Sequence, residues 1–223
     1  MHQVMQTEGL RDEGFVSSGL PGSPEPGIFL SAFVIMSAMK NEIQNLAETE
    51  LASETVFKGR LLHVKSDRVR LPDGTESTRE YIVHPGAVVI IPVFDNGDVL
   101  LERQHRYPLH RDFFEFPAGK IDPGEDDLTC AKREFEEETG YTARDWRPLF
   151  TLYPCIGYSD ERLAFYLARG LEPGNHGRDD DEFLEILRVP MSEAMDWLRS
   201  GRICETKTVS GLFWLEKTLQ QGW

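Results

Sequence analysis

From Asp127 to Thr139 the chain runs the length of a helix without proline or glycine, and on either side it breaks into short β-branched and apolar runs. A helix set alone between strand-like segments needs a sheet to lie on. Leu128, Ala131 and Phe135 recur at three- and four-residue spacing, marking the face that meets that sheet. Gly140 supplies the stop. Upstream, "TVFKGRLLHVKSDRVRLPDGTESTREYIVH" alternates in strand fashion around a PDG turn and reads as two or three antiparallel strands. "GAVVIIPVFDNGDVLLERQHR" holds two apolar runs joined by Asp95-Asn96-Gly97-Asp98, a hairpin signal, and reads as the centre of a sheet. Downstream, "RPLFTLYPC", "ERLAFYLARGL" and "FLEILRVP" read as strands. "SEAMDWLRSGR" reads as an amphipathic helix introduced by Ser192, and "TKTVSGLFWLEKTLQQ" as a closing helix. A mixed sheet with flanking helices, an α/β fold, follows.

The same helix is crowded with carboxylates. Asp122, Glu125, Asp126 and Asp127 precede or open it, and Glu134, Glu136, Glu137 and Glu138 close it. At about 100° per residue, Glu134, Glu137 and Glu138 share one sector, roughly a quarter turn from the apolar face. Ionising all three together is costly without a divalent cation, and hard oxygen donors suit Mg²⁺ or Mn²⁺. The preceding "PAGKIDPGE" is a loop rich enough in glycine to bring backbone groups close to a metal-bound phosphate. Arg133 reaches around the helix to Glu125 or another acid. A solvated acidic face is the competing reading of such a charge run.

Gly119, Glu125 and the run Arg133-Glu134-Phe135-Glu136-Glu137-Glu138-Thr139-Gly140-Tyr141 stand at spacings that resemble the Nudix box, the signature of hydrolases acting on nucleoside diphosphates linked to another group. Every charged and glycine position of that signature is filled, with Phe135 and Tyr141 where the family usually has aliphatic residues. The resemblance implies an α/β/α sandwich. It also implies that Glu134 and Glu138 ligate Mg²⁺ (or Mn²⁺), that Ala118 offers its backbone carbonyl, that Glu137 assists catalysis, and that Glu125 and Arg133 support the loop–helix geometry.

Outside the box, "REYIVHPGAVVIIP", "ERQHRYP", "FFEFPAGKID" and "YPCIGYSDE" resemble the ADP-ribose pyrophosphatase branch, over about residues 53–215. That likeness implies a nucleotide site formed with Arg79 and Glu80, shared between two subunits whose N-terminal strands, residues 53–84, are exchanged in a homodimer. It further implies substrate contacts from Arg106 and Glu115, and from Glu161 near the terminal ribose. Many members of the branch carry a proline about 15 residues beyond the box; here Ile156 stands there and Pro154 precedes it. The implied reaction is hydrolysis of ADP-ribose to AMP and ribose 5-phosphate. A general base drawn from a loop after the box points to "HGRDDDEFLEIL", with Glu182 first and Asp180 or Glu185 behind it.

Other nucleoside diphosphate sugars, such as a GDP-hexose, and dinucleotides are the competing substrates. A binding-only ADP-ribose sensor is disfavoured by the presence of Glu134, Glu137 and Glu138 and by the lack of a separate DNA-binding module. A formal charge of −14 also argues against nucleic acid as a partner. No apolar run approaches the roughly 18 residues of a membrane span. Cys130, Cys155 and Cys204 have neither disulfide nor zinc spacing, which fits a reducing cytoplasm. Residues 1–39 read as a disordered extension or an overextended start of translation; their apolar stretch "IFLSAFVIMSA" follows acidic residues and not the basic start of a signal peptide. Residues 40–223 then form the catalytic domain. His63, His84, His105, His110 and His176 show no ligand spacing and receive no catalytic role.

Overall fold

The computed structural model describes residues 45–174 and 183–221. Residues 1–39, Asp180, Glu182 and His176 therefore lie outside the described residues. Three strands, β1 (Thr49–Lys58), β2 (His63–Arg70) and β3 (Glu76–Ile82), form an antiparallel sheet of their own, starting four residues before the expected Ser53. The PDG turn between β2 and β3 closes with Leu71 N–H donating to Thr75 C=O at 2.8 Å, and Gly74 adopts φ 88° there.

Seven strands make the main sheet: β4 (Ala87–Val93), β5 (Val99–Arg106), β6 (Arg111–Glu115), β7 (Ala118–Lys120), β8 (Tyr141–Leu152), β9 (Leu163–Pro173) and β10 (Leu184–Val189). Its backbone order is β10-β5-β4-β9-β8, with β6 paired to β5 and β7 to β4. Only β4 and β9 pair in parallel; the other pairs are antiparallel. β4 is buried along its whole length, and its unbroken "AVVIIPV" is what a strand covered on both faces requires. Pro92, without an N–H, stands on β4 between Ile90, whose N–H donates to Pro117 C=O, and Val93, paired with Val99 of β5.

Alternation along β4 sorts the layers. Val88 and Ile90 face α1 (Asp127–Thr139), packing with Cys130, Ala131 and Phe135. Val89, Ile91 and Val93 face α2 (Met191–Arg199) and α3 (Thr206–Gln221), packing with Ala194, Met195, Leu212 and Leu215. This is the expected α/β/α sandwich with a mixed sheet.

Three local expectations change. The buried face of α1 turns onto Cys130, Ala131, Phe135 and Glu138, and Leu128 is only half-buried. Ser192 does not introduce α2: Pro190 holds the cap position and Ser192 is the second helical residue. β8 begins at Tyr141, directly after the Gly140 stop, because Gly140 at φ 72° turns the chain straight from helix into strand.

Candidate active site

A cleft of about 980 Å³ opens where the C-terminal part of α1, the start of β7, the β5–β6 hairpin and the first turn of α3 meet. That size accommodates a nucleotide-sized ligand. The α1 wall is set by two local devices. Asp126 caps the helix, accepting from the N–H groups of Leu128 and Thr129 at 3.1 Å. At its other end Glu134, Glu137 and Glu138 line the cleft.

Glu138 is buried, 8% exposed, and accepts from the Ala118 N–H at 3.2 Å, which ties helix to β7. Gly119 leaves the space that the Glu134 carboxylate occupies: a Cβ there would fall 1.8 Å from Cδ of Glu134 and push that side chain aside. Arg133 forms the expected fork with Glu125, both N–H···O distances being 2.9 Å, and also meets Glu134 and Glu137 at 3.0 Å. That fork holds the Glu125 carboxyl down at about 2. Burial pushes the neighbouring Cys130 thiol up to about 12, so it packs as a neutral core residue.

The facing wall comes from the sheet. Arg106, at the end of β5, donates Nε–H and Nη2–H to Glu115 on β6 at 2.8 and 2.7 Å. Burial pushes the Glu115 carboxyl up, but the Arg106 hydrogen bonds and the Lys207 and Arg106 charges outweigh it and hold the group below the usual carboxylate range. The rim carries His84 and Glu161, 3.8 Å apart, with Pro154, Cys155 and Arg60. Ile82 hydrogen-bonds Tyr158 and Asp160 through its backbone, and so fastens the small sheet to this rim.

The cleft thus gathers Ala118, Arg133, Glu134, Glu137, Glu138, Arg106, Glu115 and Glu161 from distant points of the sequence. It does not gather Arg79 and Glu80. Both are exposed on β3, and Arg79 pairs with Glu48 at 2.9 Å. Glu185 lies on β10 in an exposed pair with Arg103 at 2.7 Å and is absent from the cleft wall, whereas Leu184 beside it pairs with the cleft residue Gln104.

Among the cleft residues that escape a reading of the sequence are Arg60, Gln104, Glu205 and Lys207. Lys207 looks like any lysine near a helix start, since its burial depends on how α3 docks. Glu205 does leave a trace, an acid immediately before the closing helix. It caps α3, accepting from Lys207 N–H at 2.7 Å and Thr208 N–H at 3.0 Å.

The donor set fits a hard divalent cation: three carboxylates of α1, next to a backbone strand at a glycine with no room for a side chain. Among the described residues no three His, Cys, Asp or Glu groups are already converged on a common point. Glu134 and Glu137 both pair with the Arg133 guanidinium. A cation held by these carboxylates would compete with Arg133 for Glu134 and Glu137.

Residues 83–206 match the family model for the NUDIX domain. The chain belongs to the Nudix family. Residues 48–82 of this Nudix chain, its small sheet, match the N-terminal domain of nucleoside diphosphate sugar hydrolases. It is 36% identical over 171 residues to the methanol dehydrogenase activator of Bacillus methanolicus, covering 76% of this chain and 92% of that protein. Against the ADP-ribose pyrophosphatase of Bacillus subtilis (strain 168) it is 36% identical over 176 residues, covering 78% and 95%. A crystal structure of an ADP compounds hydrolase superposes with a TM-score of 0.71 at 30% identity, covering 78% of this chain and 95% of that one. The Nudix chain is accordingly an enzyme, a hydrolase of the kind that works with a divalent metal. None of the helices among its described residues is long and apolar enough to cross a membrane.

Proposed function

We propose that the chain hydrolyses the diphosphate bond of ADP-ribose to AMP and ribose 5-phosphate, using Mg²⁺ with Mn²⁺ as a substitute. The observation that carries this reading is the two-sided cleft: carboxylates of α1 on one wall and the half-exposed Arg106 guanidinium on the other. The pyrophosphatase and ADP compounds hydrolase relatives give the substrate class its support.

Glu134, Glu138 and the Ala118 carbonyl are the residues that would hold the cation. When bound, it supplies Lewis-acid polarisation of the diphosphate and a water of lowered pKa. Arg106 has already committed two N–H groups to Glu115, so its remaining face binds anionic oxygens of the substrate in a fixed orientation. Glu161 at the rim accepts from hydroxyls of the terminal ribose. Glu137 assists beside the metal-binding pair. Glu182, outside the described residues, takes the proton from the attacking water as general base; its segment leads into β10 at Leu184, beside Gln104 of the cleft.

Arg79 and Glu80 serve the nucleotide through a homodimer in which the 53–84 strands reach a second subunit's cleft. Val56 and Phe57 on β1 and Leu61 and Leu62 in the turn to β2 are exposed apolar side chains, which supports a covering partner. The three free cysteines fit a cytoplasmic enzyme. The test is product release from ADP-ribose, ADP-glucose, GDP-mannose and NADH with Mg²⁺ or Mn²⁺. Preference for ADP-ribose upholds the reading. A parent protein that cleaves none of the four sinks it.

A further inference from the structure

Lys207 is a buried cation within the cleft, and the proposed chemistry does not use it. Its side chain is 10% exposed, and its ammonium meets Glu115 Oε2 as well as Glu205 Oε2 at 3.2 Å. Glu115 is more deeply buried, with a side-chain exposure of 3%. Its Oε2 therefore accepts from two cations, Lys207 and Arg106, while among the described residues Oε1 accepts from Arg106 alone. We propose that Lys207 is a positioning residue of the hydrolysis: it fixes the Glu115 carboxylate in the plane that aims Arg106 into the cleft, and it balances the charge of that wall. The inference rests on the reading that the cleft takes a nucleoside diphosphate sugar.

Geometry separates this role from direct substrate contact. The Lys207 ammonium is enclosed by two carboxylates, whereas the Arg106 side chain is 44% exposed and, among the described residues, its Nη1 has no hydrogen-bond partner in the protein. Arg106 also lies within electrostatic reach of Glu138, so its orientation matters to the metal-binding side of the cleft. With Lys207 present, Arg106 and Lys207 balance Glu115 and Glu205. Without it, one negative charge is left over at a wall that faces an anionic substrate, and Glu115 loses the donor that anchors it independently of Arg106.

The first turn of α3 has other anchors. Thr208 Oγ1 accepts from the Phe116 N–H at 2.9 Å and donates to Glu205 at 2.9 Å, so the helix stays docked beside Glu115 when Lys207 changes. A variant therefore reports on the charge relay and not on loss of the helix.

The experiment compares ADP-ribose kinetics and melting temperature for the parent, Lys207→Met, Glu115→Gln and the double variant. Lys207→Met is expected to raise KM about tenfold or more with kcat within about threefold, the pattern of weakened ground-state and transition-state binding alike. In the Glu115→Gln background the same substitution should add almost nothing, because Lys207 acts through Glu115. Should the methionine variant fail to fold, Lys207→Gln keeps a donor without the charge and should still raise KM. A fall in melting temperature with KM unchanged leaves Lys207 a purely structural residue and overturns the proposal. Fully additive effects of the two substitutions overturn it as well. A parent inactive on every diphosphate tested counts instead against the proposed function itself.

Discussion

At the scale of single residues, the cleft depends on charges held in unusual places. Glu138 is a carboxylate that is buried yet touches the Ala118 amide, and amide isosteres keep that shape while losing the charge. Glu138→Gln is expected to lower kcat by at least about a hundredfold, the scale of losing a preorganised electrostatic contact, with the melting temperature nearly unchanged. Steady-state rates beside a thermal melt check both halves. Gly119 makes a complementary case. An alanine there displaces the flexible end of Glu134 and not backbone, so the fold survives at an overpacking cost of about 1–3 kcal/mol. Glu134 cannot then keep its place, and the Mg²⁺ concentration for half-maximal activity should rise; a metal titration of the variant reads this directly. Arg133 adds a pH-dependent contribution to stability. It holds Glu125 at about 2, below the ordinary 4.5, so the stabilisation is complete above pH 4.5 and disappears as pH falls through 2. The gap in melting temperature between the parent and Arg133→Met should shrink across that window.

Among the elements, α1 combines a structural and a chemical face. Phe135 and Ala131 bury against Ile90 and Val88, and the Phe135 ring meets Trp146 edge-on at 5.9 Å, so the side of the helix that carries Glu134 and Glu138 is fixed by packing on the other side. Its start is fixed by Asp126. Asp126→Ala should lower the midpoint of chemical denaturation, because two amides of the first turn lose their acceptor. This element is legible in the sequence, since its ends, its acidic sector and its stop residue are all local properties. β6 and β7 are not. Each is five residues or fewer, and each exists because β5 or β4 offers an edge for it to pair with.

For the molecule as a whole, Arg79 and Glu80 stand apart from the cleft. In a single chain they stand on the small sheet and do not line the cleft that holds Glu138. The exposed Arg79–Glu48 pair contributes little stability, so Arg79→Ala should fold normally. If strands are exchanged in a dimer, Arg79→Ala and Glu138→Gln damage different surfaces of one composite site. Mixing the two variants under conditions that allow subunit exchange should then restore part of the ADP-ribose hydrolysis that neither has alone. No recovery, with exchange verified by light scattering and tagged subunits, would place Arg79 outside the site.

The sequence by itself determined the acidic helix, its preceding loop, the order of most strands and the diphosphate-directed family, because periodicity, caps and the spacing of the Nudix box are properties of neighbouring residues. Tertiary structure decided which distant residues share the cleft. Glu115 and Lys207 are 92 residues apart, and nothing local distinguishes that lysine from an exposed one. It became a buried partner of Glu115 only because Thr208 and Glu205 seat the first turn of α3 against Phe116. Contacts of that range depend on where whole elements dock, and a local pattern carries no record of the docking.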